Sequence, residues 1–195
     1  MPVNQKTIFI SSFFGLVARN ILATDFLKIL SSDSNLRIVI IVPEKKESFY
    51  SQWFGAINVV VEGVGAKPLS WRDIFFNSLF LNLSDTQARR IHRFIELKKD
   101  KKYFKFLYHI FLAKFIGKVR MFRIFFRWLD FNLSNRDRFL HLFKKYNPIM
   151  VFSTDIFESN DVDLARSAKH RGIFTIGMVR SWDNITTKGL NRIIP

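Results

Sequence analysis

The stretch PIMVFSTDIFESNDVDLARSAKHRGIFTIGMVRSWDNITTKG, residues Pro148–Gly189, decides the fold. After Pro148, the run Ile149–Ser153 is short, apolar and bounded by polar residues, which reads as a buried strand. Asn160–Arg171 has helical character and ends at Gly172, a residue suited to the left-handed conformation that closes helices. Ile173–Val179 is a second buried run. A strand, a helix and a strand within about 30 residues make a parallel pair joined by a right-handed crossover. Parallel sheets present ligand-binding loops at the carboxyl ends of their strands. Two such ends fall here, Ser153-Thr154-Asp155 and Arg180-Ser181-Trp182-Asp183-Asn184, the second opening a polar loop that runs to Gly189.

The N-terminal third repeats the logic. Thr7–Ser12, Leu36–Pro43 and Ile57–Val64 read as strands, and Ala18–Ser31 and Glu44–Phe54 as the helices between them. The expected fold is therefore α/β, a Rossmann-like parallel sheet with helices on both faces. Residues 69–146 read as a helical block inserted into this single domain of residues 1–195. Within it, Leu69–Asn82 and Ser84–Lys99 are helices, the latter opening on a capping box from Ser84 to Gln87. Lys101–Leu129 is helical with a kink or break at Gly117, and Ser134–Tyr146 is a helix capped by Ser134 or Asn135.

The chain has 195 residues, no cysteine and a net charge of +15. Disulfides, thiolate metal sites and a cysteine nucleophile are excluded. No apolar run is long and uncharged enough for a transmembrane helix. The apolar N-terminal run TIFISSFFGLVA starts with β-branched and aromatic residues and reads as a strand rather than a secretory leader. The charge is concentrated. Residues 89–127 hold 13 Lys or Arg against Glu96 and Asp100, together with ten Phe or Tyr. Such asymmetry points to an anionic partner, either a membrane surface or nucleic acid. In the membrane reading, Lys101, Lys102, Lys105, Lys114, Lys118, Arg120, Arg123 and Arg127 meet anionic headgroups while the aromatic side enters the acyl boundary. In the alternative, the aromatic stripe faces the core and the cations are simply solvated. Nucleic acid fits less well, because the aromatics lie away from the cations and form no stacking platform in a basic groove.

Three loops carry candidate chemistry. Arg19 and Asn20, after the first strand, could bind an anion, or Asn20 could merely cap the next helix. The single glycine there, Gly15, makes neither a dinucleotide fingerprint nor a P-loop. Ser153 and Thr154 could contact a ligand, and Asp155 could accept a proton or a hydroxyl hydrogen bond. Glu158, Asp161 and Asp163 read as acids that complement the start of the following helix. Ser181, Trp182, Asp183 and Asn184 offer a flat ring beside paired donors and acceptors, suited to a sugar or base. The plainer alternative packs Trp182 under the sheet edge and folds Asp183-Asn184 into an Asx turn. His92, His109, His141 and His170 have no metal-ligand spacing. No metal and no cofactor are expected.

The pattern RN-I-x-x-TDFLK after the first strand and the late SWDNITTKG resemble glycosyltransferase-like proteins of bacterial surface-polysaccharide biosynthesis. The resemblance covers Lys6–Val42 weakly and Pro148–Gly189 better. It implies a GT-B plan of two Rossmann-like domains, and is more distantly similar to the CDP-glycerol glycerophosphotransferase and UDP-N-acetylglucosamine 2-epimerase groups. It implies an acceptor-side domain facing a glycan or lipid-linked acceptor at the inner face of the cytoplasmic membrane. The nucleotide-sugar donor would bind on a second domain, which the 195 residues do not contain. The ending KGLNRIIP reads as the approach to a further strand, so a truncated protein, inactive alone, is expected. Asp183 or Asp155 would act as base, with Trp182 and Asn184 orienting the sugar and Arg19 and Asn20 lining the crevice. The competing expectation is a non-catalytic module that binds a membrane surface or a partner.

Overall fold

A computed structural model describes residues 5–68, 70–135 and 137–195. In chain order the elements are β1 (Lys6–Ser11), α1 (Gly15–Val17) running into a π-helical turn (Ala18–Leu22), α2 (Asp25–Ser31), β2 (Leu36–Pro43), a 3-10 turn (Glu44–Lys46), α3 (Glu47–Phe54) and β3 (Val59–Val64). There follow α4 (Trp71–Asn82), α5 (Gln87–Asp100), α6 (Tyr103–Phe111), a second π-turn (Leu112–Ile116), α7 (Arg120–Leu133) and α8 (Leu140–Tyr146). The chain closes with β4 (Met150–Ser153), α9 (Ser159–Lys169), β5 (Phe174–Gly177) and α10 (Trp182–Thr187). The chain divides into two compact units. One comprises Met1–Pro68, Asn135–Met178 and Pro195, and the other Leu69–Ser134 and Val179–Ile194.

The first unit is a five-stranded, all-parallel sheet in the order β3-β2-β1-β4-β5. Its Rossmann-like fold follows from strands buried on both faces. In β1 and β2, alternate residues enter two different cores. Ile8, Ile10, Ile38, Ile40 and Val42 pack with Leu22, Leu27 and Tyr50 on one side. Phe9, Val39 and Ile41 pack with Phe139, Leu142, Phe143 and Leu164 on the other. Two-sided burial is why these strands read as continuous apolar runs rather than alternating ones. The register pairs Lys6 with Leu36 through Ser11 with Ile41, and Ile8 with Met150 through Ile10 with Phe152. The strand order reverses direction between β1 and β4, which places the topological switch point at their carboxyl ends.

The second unit is helical. Phe76, Leu79, Phe80, Leu83 and Leu112 form its small core. The C-terminal segment is tied into it. Gly189 takes a positive φ of 82°, and a Cβ there would stand 2.5 Å from the Phe80 carbonyl oxygen. This close approach lets Leu190 N donate to that same carbonyl at 3.0 Å.

Several boundaries differ from expectation for local reasons. The helix expected over Ala18–Ser31 is split. A π-turn bond from Ala23 N to Ala18 O closes the first part, and the Thr24 hydroxyl, accepting from Phe26 N at 3.3 Å, caps the second. Asn20 is not a cap, because its Oδ1 accepts from Arg19 Nε at 3.0 Å. Thr86, rather than Ser84, caps α5 by accepting from Arg89 N, so no capping box forms. Ser134 and Asn135 do not open a helix either. Ser134 Oγ donates to Asp130 Oδ1 at 2.7 Å behind α7, and Asn135 Oδ1 accepts from Asp137 N at 2.9 Å. Leu69, expected at a helix start, and Arg136, expected within a helix, lie outside the described residues. The stretch after Arg180 is not a loop, for Trp182–Thr187 forms α10.

Candidate functional site

Two regions carry features that packing alone does not require. The first lies in the sheet unit. Phe49, Tyr50, Trp53 and Phe54 on α3 face Gly15, Ala18, Arg19 and Ala23 across a cavity of about 570 Å³, with Lys46 at its rim. That volume is typical of small-molecule sites, as is an apolar lining with few polar groups. The two walls begin at the carboxyl ends of β1 and β2, where ligands of parallel sheets gather. One wall is the π-turn, a geometry that recurs at functional sites. Tyr50 is anchored from below, its hydroxyl accepting from Ser12 Oγ at 3.1 Å. Of the expected residues, Arg19 lines this cavity, and Asn20 is exposed beside it. The aromatic wall was missed in the sequence, although the SFYSQWF spacing carried the signal.

At the switch point itself, Ser153 and Thr154 are fully buried. They join Ser11 and Asp161 in one hydrogen-bonded cluster. Asp161 Oδ1 accepts from Ser153 Oγ at 3.0 Å, from Thr154 N at 3.1 Å and from Ser11 Oγ. Thr154 Oγ1 donates to the Ser11 carbonyl at 2.9 Å. Burial pushes the Asp161 carboxyl up to about 7, against the lowering effect of the Ser11 hydrogen bond. Asp161 stands in the first turn of α9, as expected of a helix-start acid, and is buried there. Glu158 does cap α9, accepting from Asn160 N at 2.6 Å and Asp161 N at 3.0 Å, and burial pushes its carboxyl up too. Asp155 is 1 % exposed, and its Oδ1 accepts from Phe157 N at 3.1 Å in an Asx turn. Asp163 is buried in an ion-paired group, 2.8 Å from Arg166 and 2.6 Å from Lys67.

Ser181, Trp182, Asp183 and Asn184 belong to the second unit. Trp182 is 83 % exposed, so it is not packed beneath the sheet. The Asp183 carbonyl accepts from the hydroxyls of Thr186 at 2.9 Å and Thr187 at 2.7 Å, which binds up α10 internally. Asn184 is buried with its Nδ2 unpartnered. The Thr186 carbonyl accepts from Thr86 Oγ1 at 2.5 Å. Much of the SWDNITTKG segment therefore closes the helical unit.

The second region is the surface of α6, the π-turn after it and α7. Phe104, Leu107, Tyr108, Phe111 and Phe115 are all exposed, Phe104 at 91 %. Their spacing of three, one, three and four residues is one face of a helix. Met121, Ile124, Phe125 and Trp128 form a second exposed stripe on α7 with the same spacing. Stacked pairs stiffen both, Phe111 with Phe115 at 5.4 Å and Phe125 with Trp128 at 6.3 Å. The core-facing alternative holds for part of the stripe, since Leu112 is buried and Ile116, Phe126 and Leu129 pack against the core, while the remaining rings stand outside it. What α6 and the following turn bury is His109, Leu112 and Ala113, and α7 buries Asp130. Lys101, Lys102, Lys105, Lys114, Lys118 and Arg120 are exposed, while Arg123 and Arg127 are half-buried. Arg127 Nε donates to the Asn191 carbonyl at 2.9 Å, and burial pushes its pKa down.

Among the described residues no helix is long and apolar enough to cross a membrane, and no His, Asp or Glu group could hold a metal ion. No family model, curated protein or solved structure matches this chain.

Proposed function

We propose that this chain works at an anionic membrane surface, seated there by its helical unit. One observation carries the reading: two helical stripes of large apolar side chains are exposed in the same segment that concentrates the positive charge. A soluble surface rarely exposes so many contiguous apolar groups. An apolar face flanked by Lys and Arg is what an interfacial helix requires, with rings at the acyl boundary and cations near phosphates. Nucleic acid would need cations and rings on one face. Flotation with vesicles tests this. The protein should float with phosphatidylcholine vesicles containing 30 mol % phosphatidylglycerol and stay behind with pure phosphatidylcholine. Equal recovery from both, or tighter binding to a single-stranded oligonucleotide than to anionic vesicles, would end the reading.

A second reading is favoured by the aromatic cavity with Arg19 on its wall. In it the sheet unit is the acceptor-side domain of a glycosyltransferase-like protein acting on a lipid-linked or surface glycan. Arg19 would then meet the anionic part of the acceptor, in a protein that also carries a nucleotide-sugar domain. A short-chain prenyl-diphosphate sugar should quench Trp53 fluorescence, and Arg19→Ala should weaken that binding at least tenfold. An unchanged titration curve in Arg19→Ala removes the cavity from the account.

A further inference from the structure

The helical unit buries two arginines, and among the described residues Asp85 alone stands within ion-pair distance of either, beside Arg93. Arg89 is 5 % exposed and Arg93 3 % exposed. Among the described residues Arg89 has no carboxylate within ion-pair distance. Its Nη2 donates only to Asn82 Oδ1, at 3.4 Å, and its Nε has no partner. Arg93 donates through Nη2 to the carbonyls of Asn82, at 3.2 Å, and of Ser84. Its Nη1 stands 3.7 Å from Asp85, and its Nε is also unpartnered. Asp85 is already occupied by Arg90, which donates to both of its oxygens at 2.9 and 2.7 Å. Burial pushes both guanidinium pKa values down, and the Arg93 charge lowers that of Arg89 further. His109 is pushed down by burial and then by the charge of Lys105. Arg89 is thus a buried cation without a carboxylate beside it and Arg93 shares its one acid with Arg90, an arrangement that is costly and that fold stability alone gives no reason to keep.

A cavity of about 200 Å³ opens beside Arg93, lined by Asp85, Arg90, Arg93, Phe106, Ile110 and Lys114. Three cations surround one acid that is already paired, and Phe106 and Ile110 supply an apolar wall. We infer that this cavity receives the phosphate of an anionic phospholipid headgroup. Arg93, Arg90 and Lys114 would supply the charge, and Phe106 and Ile110 the contact with the glycerol and first acyl carbons. The inference rests on the membrane-surface reading and adds to it a discrete site on α5, α6 and the π-turn. A free phosphate ion would leave the apolar wall unused, and a nucleic-acid backbone needs a track rather than a single pocket.

The test is calorimetric titration of the whole chain with dihexanoyl phosphatidic acid below its micellar concentration. Inorganic phosphate and dihexanoyl phosphatidylcholine serve as comparisons, and flotation on anionic vesicles runs in parallel. The short phosphatidic acid should bind saturably at one site. The double variant Arg90→Gln, Lys114→Ala should weaken it at least tenfold, while Lys99→Ala, which removes a charge elsewhere on α5, should not. Circular dichroism confirms that the variants fold. Equal affinity for inorganic phosphate would overturn the lipid assignment. Vesicle binding without saturable uptake of the short lipid would overturn the site and leave the membrane reading standing on the apolar stripes. Loss of both would remove both.

Discussion

Asp161 shows how one side chain can link the sheet to pH. Its carboxyl sits among Ser11, Ser153 and Thr154 at the switch point, and burial raises it from 3.8 to about 7. The folded protein therefore keeps a proton that the unfolded chain loses above about pH 4. Stability should be full below that value and fall as the pH rises towards 7, because in this window the native state binds more protons. Glu158, also raised, adds to the same slope. Urea midpoints at pH 4.5 and 8 check this. The wild type should lose stability between them, and Asp161→Asn should lose much less. A variant whose midpoint shifts as much as the wild type's would show that Asp161 does not carry the effect. The sequence placed Asp161 at a helix start, where it stands, but carried no sign of its burial. Its burial arises because β1 and β4 run side by side, and no local sequence pattern reports that pairing.

At the scale of elements, α6 and α7 are defined by what they leave uncovered. Their apolar spacing was legible in the sequence as a helix, but periodicity is the same whether a stripe meets a core or a bilayer. Only the burial of the opposite side distinguishes the two. If the stripes enter the acyl boundary, Leu107→Asp together with Phe125→Asp should leave helicity unchanged and cut partition onto phosphatidylglycerol vesicles by tenfold or more, since each ring or alkyl group withdrawn loses a transfer energy of roughly 1.5–3 kcal/mol. Unchanged flotation would place the contact elsewhere in the unit. The π-turns that follow α1 and α6 were not legible. A π-turn needs only one altered hydrogen bond and no special residue, so the sequence carries no mark for it.

At the scale of the whole molecule, the chain builds two compact units from interleaved segments. The helical unit is closed by its last residues. Arg192 Nη2 donates to Asp130 Oδ1 at 2.6 Å and to Asp73 Oδ1 at 3.3 Å, Nε donates to Asp130 Oδ2 at 2.8 Å, and Nη1 donates to Asn77 Oδ1 at 2.9 Å. One guanidinium thus ties α4, α7 and the tail through buried carboxylates. Arg192→Met would remove the cation that faces two buried acids and should cost about 3–5 kcal/mol of that unit's stability, read as an earlier loss of helical signal in thermal or urea unfolding. A variant that unfolds at the wild-type midpoint would show that the network is compensated by water. The charge excess acts at this scale too. Vesicle binding should weaken as salt rises from 50 to 500 mM, because the cations are exposed and screened.

The sequence by itself determined the parallel sheet, since apolar runs separated by helical spacing and closed by Gly and Pro leave few other arrangements for the chain. It also determined the placement of charge, the absence of cysteine chemistry and the existence of the aromatic helices. The tertiary structure alone decided which groups face inward. It buried Asp161, Arg89 and Arg93, exposed Trp182 and the aromatic stripes, folded the stretch after Arg180 into α10, and set Arg19 against an aromatic wall. The reason is physical. Local pattern fixes backbone conformation through steric and hydrogen-bond preferences over a few residues. Burial, pairing and cavities depend on segments up to about 150 residues apart, as in the contact between Ser11 and Asp161, and such distant contacts leave no trace in either segment alone.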